Sequence, residues 1–252
     1  MSRSVRVVVR TFSELCITVG TLIVLFVVHL LFWTGVRAED ATDREIERLR
    51  AGWSAHTPTA DPETAPETPE AAPGTAAPAP ERTATPAPAA YEPGKPFAVM
   101  YIPRFGKGWD WPVLQGTGTG VLKKGLGHYA STAALGATGN FAVAGHRRTY
   151  GDPFKDFPEL RAGDTVVLTD GTTWFTYRIE RKPYRTVPSD VGVIDAVPRP
   201  LNEDATAFDA PGRYLTLTTC EPEWGSSHRL VVWAHLDATQ PVTDGKPPAL
   251  RS

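Results

Sequence analysis

The sequence predicts an all-β domain, closed as a barrel or packed as a sandwich, behind one membrane-type helix. Three observations carry this reading. Beyond Phe97, short runs of β-branched and aromatic residues alternate with turn signals, and no long amphipathic helical pattern appears. Thr165–Thr169 and Thr172–Ile179 flank Asp170-Gly171, a hairpin signal for a type I′ turn with positive φ at both central positions. Tyr214–Leu236 reads as two further strands joined by a polar loop.

The chain has 252 residues, a formal net charge of -2 and two cysteines. Its length allows one or two domains. Its charge offers no basic surface for nucleic acid. Leu15–Trp33, LCITVGTLIVLFVVHLLFW, runs without Asp, Glu, Lys or Arg. As a helix it would span about 28 Å, close to the hydrocarbon thickness of a bilayer. Arg3, Arg6 and Arg10 precede it and predict a cytoplasmic N-terminus. Val36-Arg37-Ala38 resembles a signal-peptide cleavage site, but the apolar run is longer than a signal core, which favours an uncleaved anchor.

Asp40–Trp53 is charged, with Ile46, Leu49 and Trp53 at helical spacing, so it reads either as a juxtamembrane helix or as a solvated, frayed segment. Pro58–Pro96 is built of Pro, Ala, Thr and Glu. It cannot bury enough apolar surface to offset its ordering entropy, and is expected to be a disordered, extended stalk. The globular texture then begins. Phe97–Ile102, Trp111–Leu114, Asn140–Gly145 and Tyr184–Val187 are strand candidates, and Phe154, Phe157 and Leu160 suggest a brief helical turn.

Alternation assigns the faces of the last two strands. Leu215 and Leu217 point one way, and Thr216, Thr218 and Cys220 the other. Leu230, Val232, Ala234 and Leu236 form an apolar face, with Arg229 opposite. With both leucine faces on the core, Cys220 and Arg229 share the outer face of a hairpin, where directly opposed Cβ atoms lie roughly 5 Å apart. Cys16 falls in the apolar run, so Cys220 is the only thiol of the remaining chain.

A thiol acts as a nucleophile only as thiolate, which a nearby base or cation favours. His146 is the candidate base. If Phe141 and Val143 point inward, it falls on the outer face with the small residues Ala142 and Ala144. Arg229 is a candidate oxyanion stabiliser. Each residue also has a plain structural reading: a buried Cys, a structural His, a solvated Arg. Glu221 and Glu223 read as solvated loop charges. No metal-ligand spacing appears, and no cofactor is implied.

TLTTC at Thr216–Cys220, GHR at Gly145–Arg147 and the Arg229 that opens RLVVWAHL together resemble the signature of the sortases. These are membrane-anchored cysteine transpeptidases of Gram-positive bacteria. The likeness covers Phe97–Leu236, including GHYAST at Gly127–Thr132, and the anchor and Ala/Arg/Pro-rich composition are most like class E of actinobacteria. The resemblance implies an eight-stranded β-barrel with short helices. It implies Cys220 as nucleophile, His146 as general acid/base and Arg229 as stabiliser of substrate or oxyanion. Its substrate would be a protein with a C-terminal LPXTG or LAXTG sorting signal, and its acceptor an amine on a peptidoglycan precursor. Tyr129 and Thr219 are candidate substrate contacts, although alternation turns Thr219 toward the core.

The chain thus divides into a cytoplasmic N-terminus (1–14), an anchor in the cell membrane (15–35), a juxtamembrane segment and linker (36–96), an extracellular catalytic domain (97–240) and a tail (241–252). Two other functions remain: a thiol hydrolase using the same residues, and a non-catalytic surface binding module.

Overall fold

The computed structural model describes residues 3–55 and 91–251. The stalk expected over Pro58–Pro96 lies, up to residue 90, outside them. Helix α1 (Arg3–Ala55) is continuous. Its window Arg10–Val27 has a mean hydropathy of 1.7 and is long and apolar enough to cross a membrane. Beyond it the Asp40–Trp53 segment is helical rather than frayed. Ile46 and Leu49 are buried against Val99, with Trp53 and Tyr101 beside them, and Arg50 pairs with Asp110 at 3.2 Å. The apolar stripe in that charged segment therefore has a partner, the outer wall of the folded domain.

The domain begins with β1 (Pro96–Tyr101) and β2 (Asp110–Gln115), an antiparallel pair. A single turn, α2 (Thr119–Leu122), lies between β2 and β3 (Leu126–His128). β2 and β3 are parallel, a pairing that a tight hairpin cannot make. β4 (Gly139–Ala144) runs antiparallel to β3. The hairpin of β5 (Thr165–Thr169) and β6 (Thr173–Ile179) and the short β7 (Tyr184–Thr186) come next. β8 (Arg213–Glu221) and β9 (His228–Pro241) complete the domain as an antiparallel pair.

Eight strands close in the order β6-β5-β1-β2-β3-β4-β8-β9, and the β6–β9 pairing seals the ring. β7 is a ninth strand outside this count. It pairs with the first part of β9, ahead of the residues that β6 takes. The barrel extends to Pro241, one residue beyond the expected boundary, because Thr173 still pairs with it.

Inward-facing residues fill the barrel. Met100, Val113, Phe141, Val143, Leu168, Leu215, Leu217 and Val232 belong to one buried cluster. The other side of β8 and β9 is also covered, but only in part. Val231 and Trp233 pack under Val193, Tyr184 and Phe208. Trp233 donates its indole N–H to the Val193 carbonyl at 3.0 Å. Thr216 bonds Asn140, whose amide bonds the Asp195 carbonyl. This cover seals Thr216, and Thr218 is buried beside Tyr129, whereas Cys220, farther along the strand, is half-buried.

The β5–β6 hairpin forms without the expected turn. Gly171 has φ +89°, but Asp170 is not among the described residues with positive φ. The Asp170 carboxylate instead accepts from the backbone N–H of Thr172 and Thr173 at 2.9 and 2.8 Å. Thr169 pairs with Trp174, so the connection is a four-residue loop closed by a side chain.

Candidate active site

β4 and β8 are parallel and in register from Gly139↔Arg213 to Ala144↔Thr218. Parallel strands end at the same end of a barrel. Two residues past the last pair stand His146 and Cys220, so the register brings both out at the same end of the barrel. Two bonds extend the contact beyond the ladder: Gly145 N–H donates to the Thr218 carbonyl at 3.1 Å, and Thr219 Oγ1 donates to the Gly145 carbonyl at 2.9 Å. Gly145 also has no room for a side chain. A Cβ there would meet the Phe154 ring at 2.6 Å and Leu126 at 2.7 Å.

Across the other edge of β8, Cys220 is the direct partner of Arg229. The expected thiol–guanidinium neighbourhood is therefore present. Arg229 Nη1 donates to the carbonyls of Ser226 and His228, both at 2.9 Å. A guanidinium has five N–H donors, and both of these bonds use one nitrogen.

His146 is half-buried, and its ring lies 5.3 Å from that of Tyr150. Lys123 Nζ sits 5.3 Å from the centre of the same Tyr150 ring. Thr149, Tyr150, Gly151 and Asp152 all have positive φ, an uncommon run that turns Tyr150 back beside the histidine. Burial lowers the pKa of His146 below its ordinary value; the Asp152 carboxylate pushes it up and the Lys123 ammonium pushes it down.

Thr219 is 2 % exposed and its hydroxyl is committed to Gly145. Thr219, expected as a substrate contact, here ties the cysteine strand to the histidine strand. Tyr129 is half-buried, with its hydroxyl 2.9 Å from Thr218 Oγ1. Ala142, expected to leave room beside the histidine, is fully buried, and of the two alanines only Ala144 is partly open.

Glu221 and Glu223 are not simply solvated. Glu221 pairs with Arg147 and Glu223 with Arg148. Sequence reasoning missed these partners, although two arginines follow the histidine and two glutamates follow the cysteine. Among the described residues no group of three or more His, Cys, Asp or Glu side chains is placed to hold a metal ion. A cleft of about 1030 Å³ lies between α1 and the barrel, lined by Leu49, Trp53, Lys95 and Phe97, and includes none of Cys220, His146 or Arg229.

The sortase domain model matches residues 100–237. Sortase SrtE1 of Streptomyces coelicolor is 33 % identical over 96 % of this chain, which spans 61 % of that protein's length. Sortase SrtE2 of the same organism is 28 % identical over 95 % of this chain and 86 % of its own. Among solved structures, sortase E from Streptomyces avermitilis is 72 % identical, with a TM-score of 0.59, over 64 % of this chain and all of that one. Sortase E1 from Streptomyces coelicolor, solved with a tripeptide in its active site, is 37 % identical with a TM-score of 0.57 over 64 % of this chain and 99 % of that one. By the match over more than half of its length, this chain belongs to the sortase family, whose members are cysteine transpeptidases, and it is class E-like.

Proposed function

We propose that this protein cleaves an LPXTG- or LAXTG-type sorting signal between Thr and Gly and joins the new C-terminus to a cell-wall amine. The observation that carries the reading is the register: Cys220 opposite Arg229 on one side, and parallel with the His146 strand on the other.

The Cys220 thiolate attacks the threonine carbonyl carbon, and the electron pair moves to oxygen. The Arg229 guanidinium stabilises that oxyanion. As the C–N bond breaks, the His146 imidazolium gives its proton to the departing glycine nitrogen. A thioester to Cys220 remains. An amine on a peptidoglycan precursor then attacks it, His146 takes the proton, and the thiolate leaves. Burial holds His146 below its ordinary pKa, which favours its giving up the proton to the departing amine. The apolar window of α1 fits a single-pass anchor, and Arg3, Arg6 and Arg10 favour a cytoplasmic N-terminus with the barrel outside.

A thiol hydrolase would use the same residues with water as acceptor. Full-length protein in detergent, given a fluorogenic sorting peptide and an amine, separates the two. Ligated product supports the transpeptidase, and cleaved acid alone supports the hydrolase. Neither product from the wild type, with surface function intact in Cys220→Ala, points to a binding module.

A further inference from the structure

The β4–β8 ladder ends at Ala144↔Thr218, before either reacting residue. Two hydrogen bonds through Gly145 carry the contact one residue further, and side-chain pairs join the two segments beyond it. Arg147 and Arg148 follow His146 directly, while Glu221 and Glu223 follow Cys220. Arg147 is 9 % exposed, and its Nη1 donates to Glu221. Its Nε also reaches the Lys155 carbonyl at 3.4 Å. Arg148 pairs with Glu223 and with Asp152 at 3.3 Å, and its guanidinium carbon lies 4.9 Å from the centre of the Trp224 ring.

We propose that the ion pairs Arg147–Glu221 and Arg148–Glu223 form a double latch of positioning residues that holds His146 and Cys220 at their reacting separation and keeps the local charge balanced. The proposal rests on the transpeptidase reading above. Neither pair touches the reacting atoms. A charge as buried as Arg147 is costly without its partner, so this pair resists opening in a way that exposed pairs do not. The balance matters because a lone carboxylate beside a thiol disfavours the thiolate, and a lone guanidinium favours it. Arg229 is the cross-strand partner of Cys220 on β9, and His146 follows the end of β4. Tyr150, Lys123 and Asp152 flank the histidine.

The test is the pH dependence of Cys220 alkylation in the full-length protein, read on Cys220 by peptide mapping. Arg147→Met leaves the Glu221 carboxylate uncompensated, so the alkylation midpoint is expected to rise by roughly half a pH unit to one unit; Glu221→Gln should lower it by a similar amount. Both variants should lose kcat by roughly 10–100-fold with little change in KM, as expected when reacting groups are misplaced but the peptide still binds. The double variant Arg148→Met with Glu223→Gln should lose no more kcat than the worse of the two single variants. Midpoints that move the same way, or not at all, overturn the latch. So does a folded double variant whose loss equals the product of the two single losses; if these variants do not fold, the alkylation result decides alone. Alkylation reads the thiol directly. A chain that turns over no sorting peptide would sink the enzyme reading and still report on the two pairs.

Discussion

The hydroxyl of Tyr129 lies 2.9 Å from Oγ1 of Thr218, just past the end of β3 and two residues before the thiol. This bond pins an aromatic ring beside the strand that carries Cys220. Tyr129→Phe removes it while keeping the ring. If Tyr129 reads the sorting signal, the variant changes the ratio of kcat/KM for LAXTG and LPXTG peptides by several-fold, in keeping with the loss of one hydrogen bond. Thr218→Val should shift the ratio in the same direction. A ratio unchanged in Tyr129→Phe removes Tyr129 from substrate recognition.

The charges around His146 predict signed shifts. Removing the Lys123 ammonium by Lys123→Gln should raise the His146 pKa, and removing the Asp152 carboxylate by Asp152→Asn should lower it. Asn tolerates the positive φ of residue 152, so the loop should persist. Imidazole resonances followed by NMR against pH provide the check. Wild-type titration at or above about 6.5, or shifts of the opposite sign, would contradict the assigned environment.

His128 should dominate the acid sensitivity of the fold. Burial lowers its pKa to about 4, against a bond to the Ala133 carbonyl that raises it. Nδ1 lies 2.6 Å from Gln115 Oε1, and the ring stacks on Phe141. The unfolded chain takes up this proton near pH 6.5, and the folded chain only near 4. Stability is therefore full above 6.5 and falls as pH drops toward 4, by about 3 kcal/mol at most. Urea unfolding midpoints from pH 7.5 to 4.5 measure this. His128→Gln should flatten the slope; parallel slopes would assign the acid loss elsewhere.

Docking of α1 on the barrel is the least expected contact. Ile46 lies thirteen positions beyond Trp33, the end of the apolar run, or about 20 Å of helix. While that contact holds, α1 sets the height of the barrel above the membrane. Ile46→Asp should release the segment. Hydrogen exchange over residues 42–53 should accelerate at least roughly tenfold while β8 and β9 keep their protection. Unchanged exchange would mean that Ile46 and Leu49 do not hold the helix down.

Much of this was legible because alternation reports which face a residue takes. Leu217 and Val232 went inside, and Cys220 met Arg229, as their spacing implied. Alternation does not report which strands become neighbours. The parallel β4–β8 pairing brings Ala144 beside Thr218, from segments far apart in the chain. Closure of the whole ring sets that pairing, so no local pattern announces it. β3 spans three residues, too few to show a period. The type I′ expectation failed because the Asp170 carboxylate bonds backbone N–H groups that the two-residue turn would not have needed. The charges of Glu221 and Glu223 were visible, but their partners depend on two loops meeting at one end of the barrel.

The most direct measurement is the intact mass of the full-length protein after exposure to a sorting peptide without added amine. An adduct equal to the peptide's N-terminal fragment through Thr should form on Cys220, vanish in Cys220→Ala and discharge when an amine is added. Free cleavage with no thioester on Cys220, or an adduct that survives in Cys220→Ala, would contradict the assigned nucleophile.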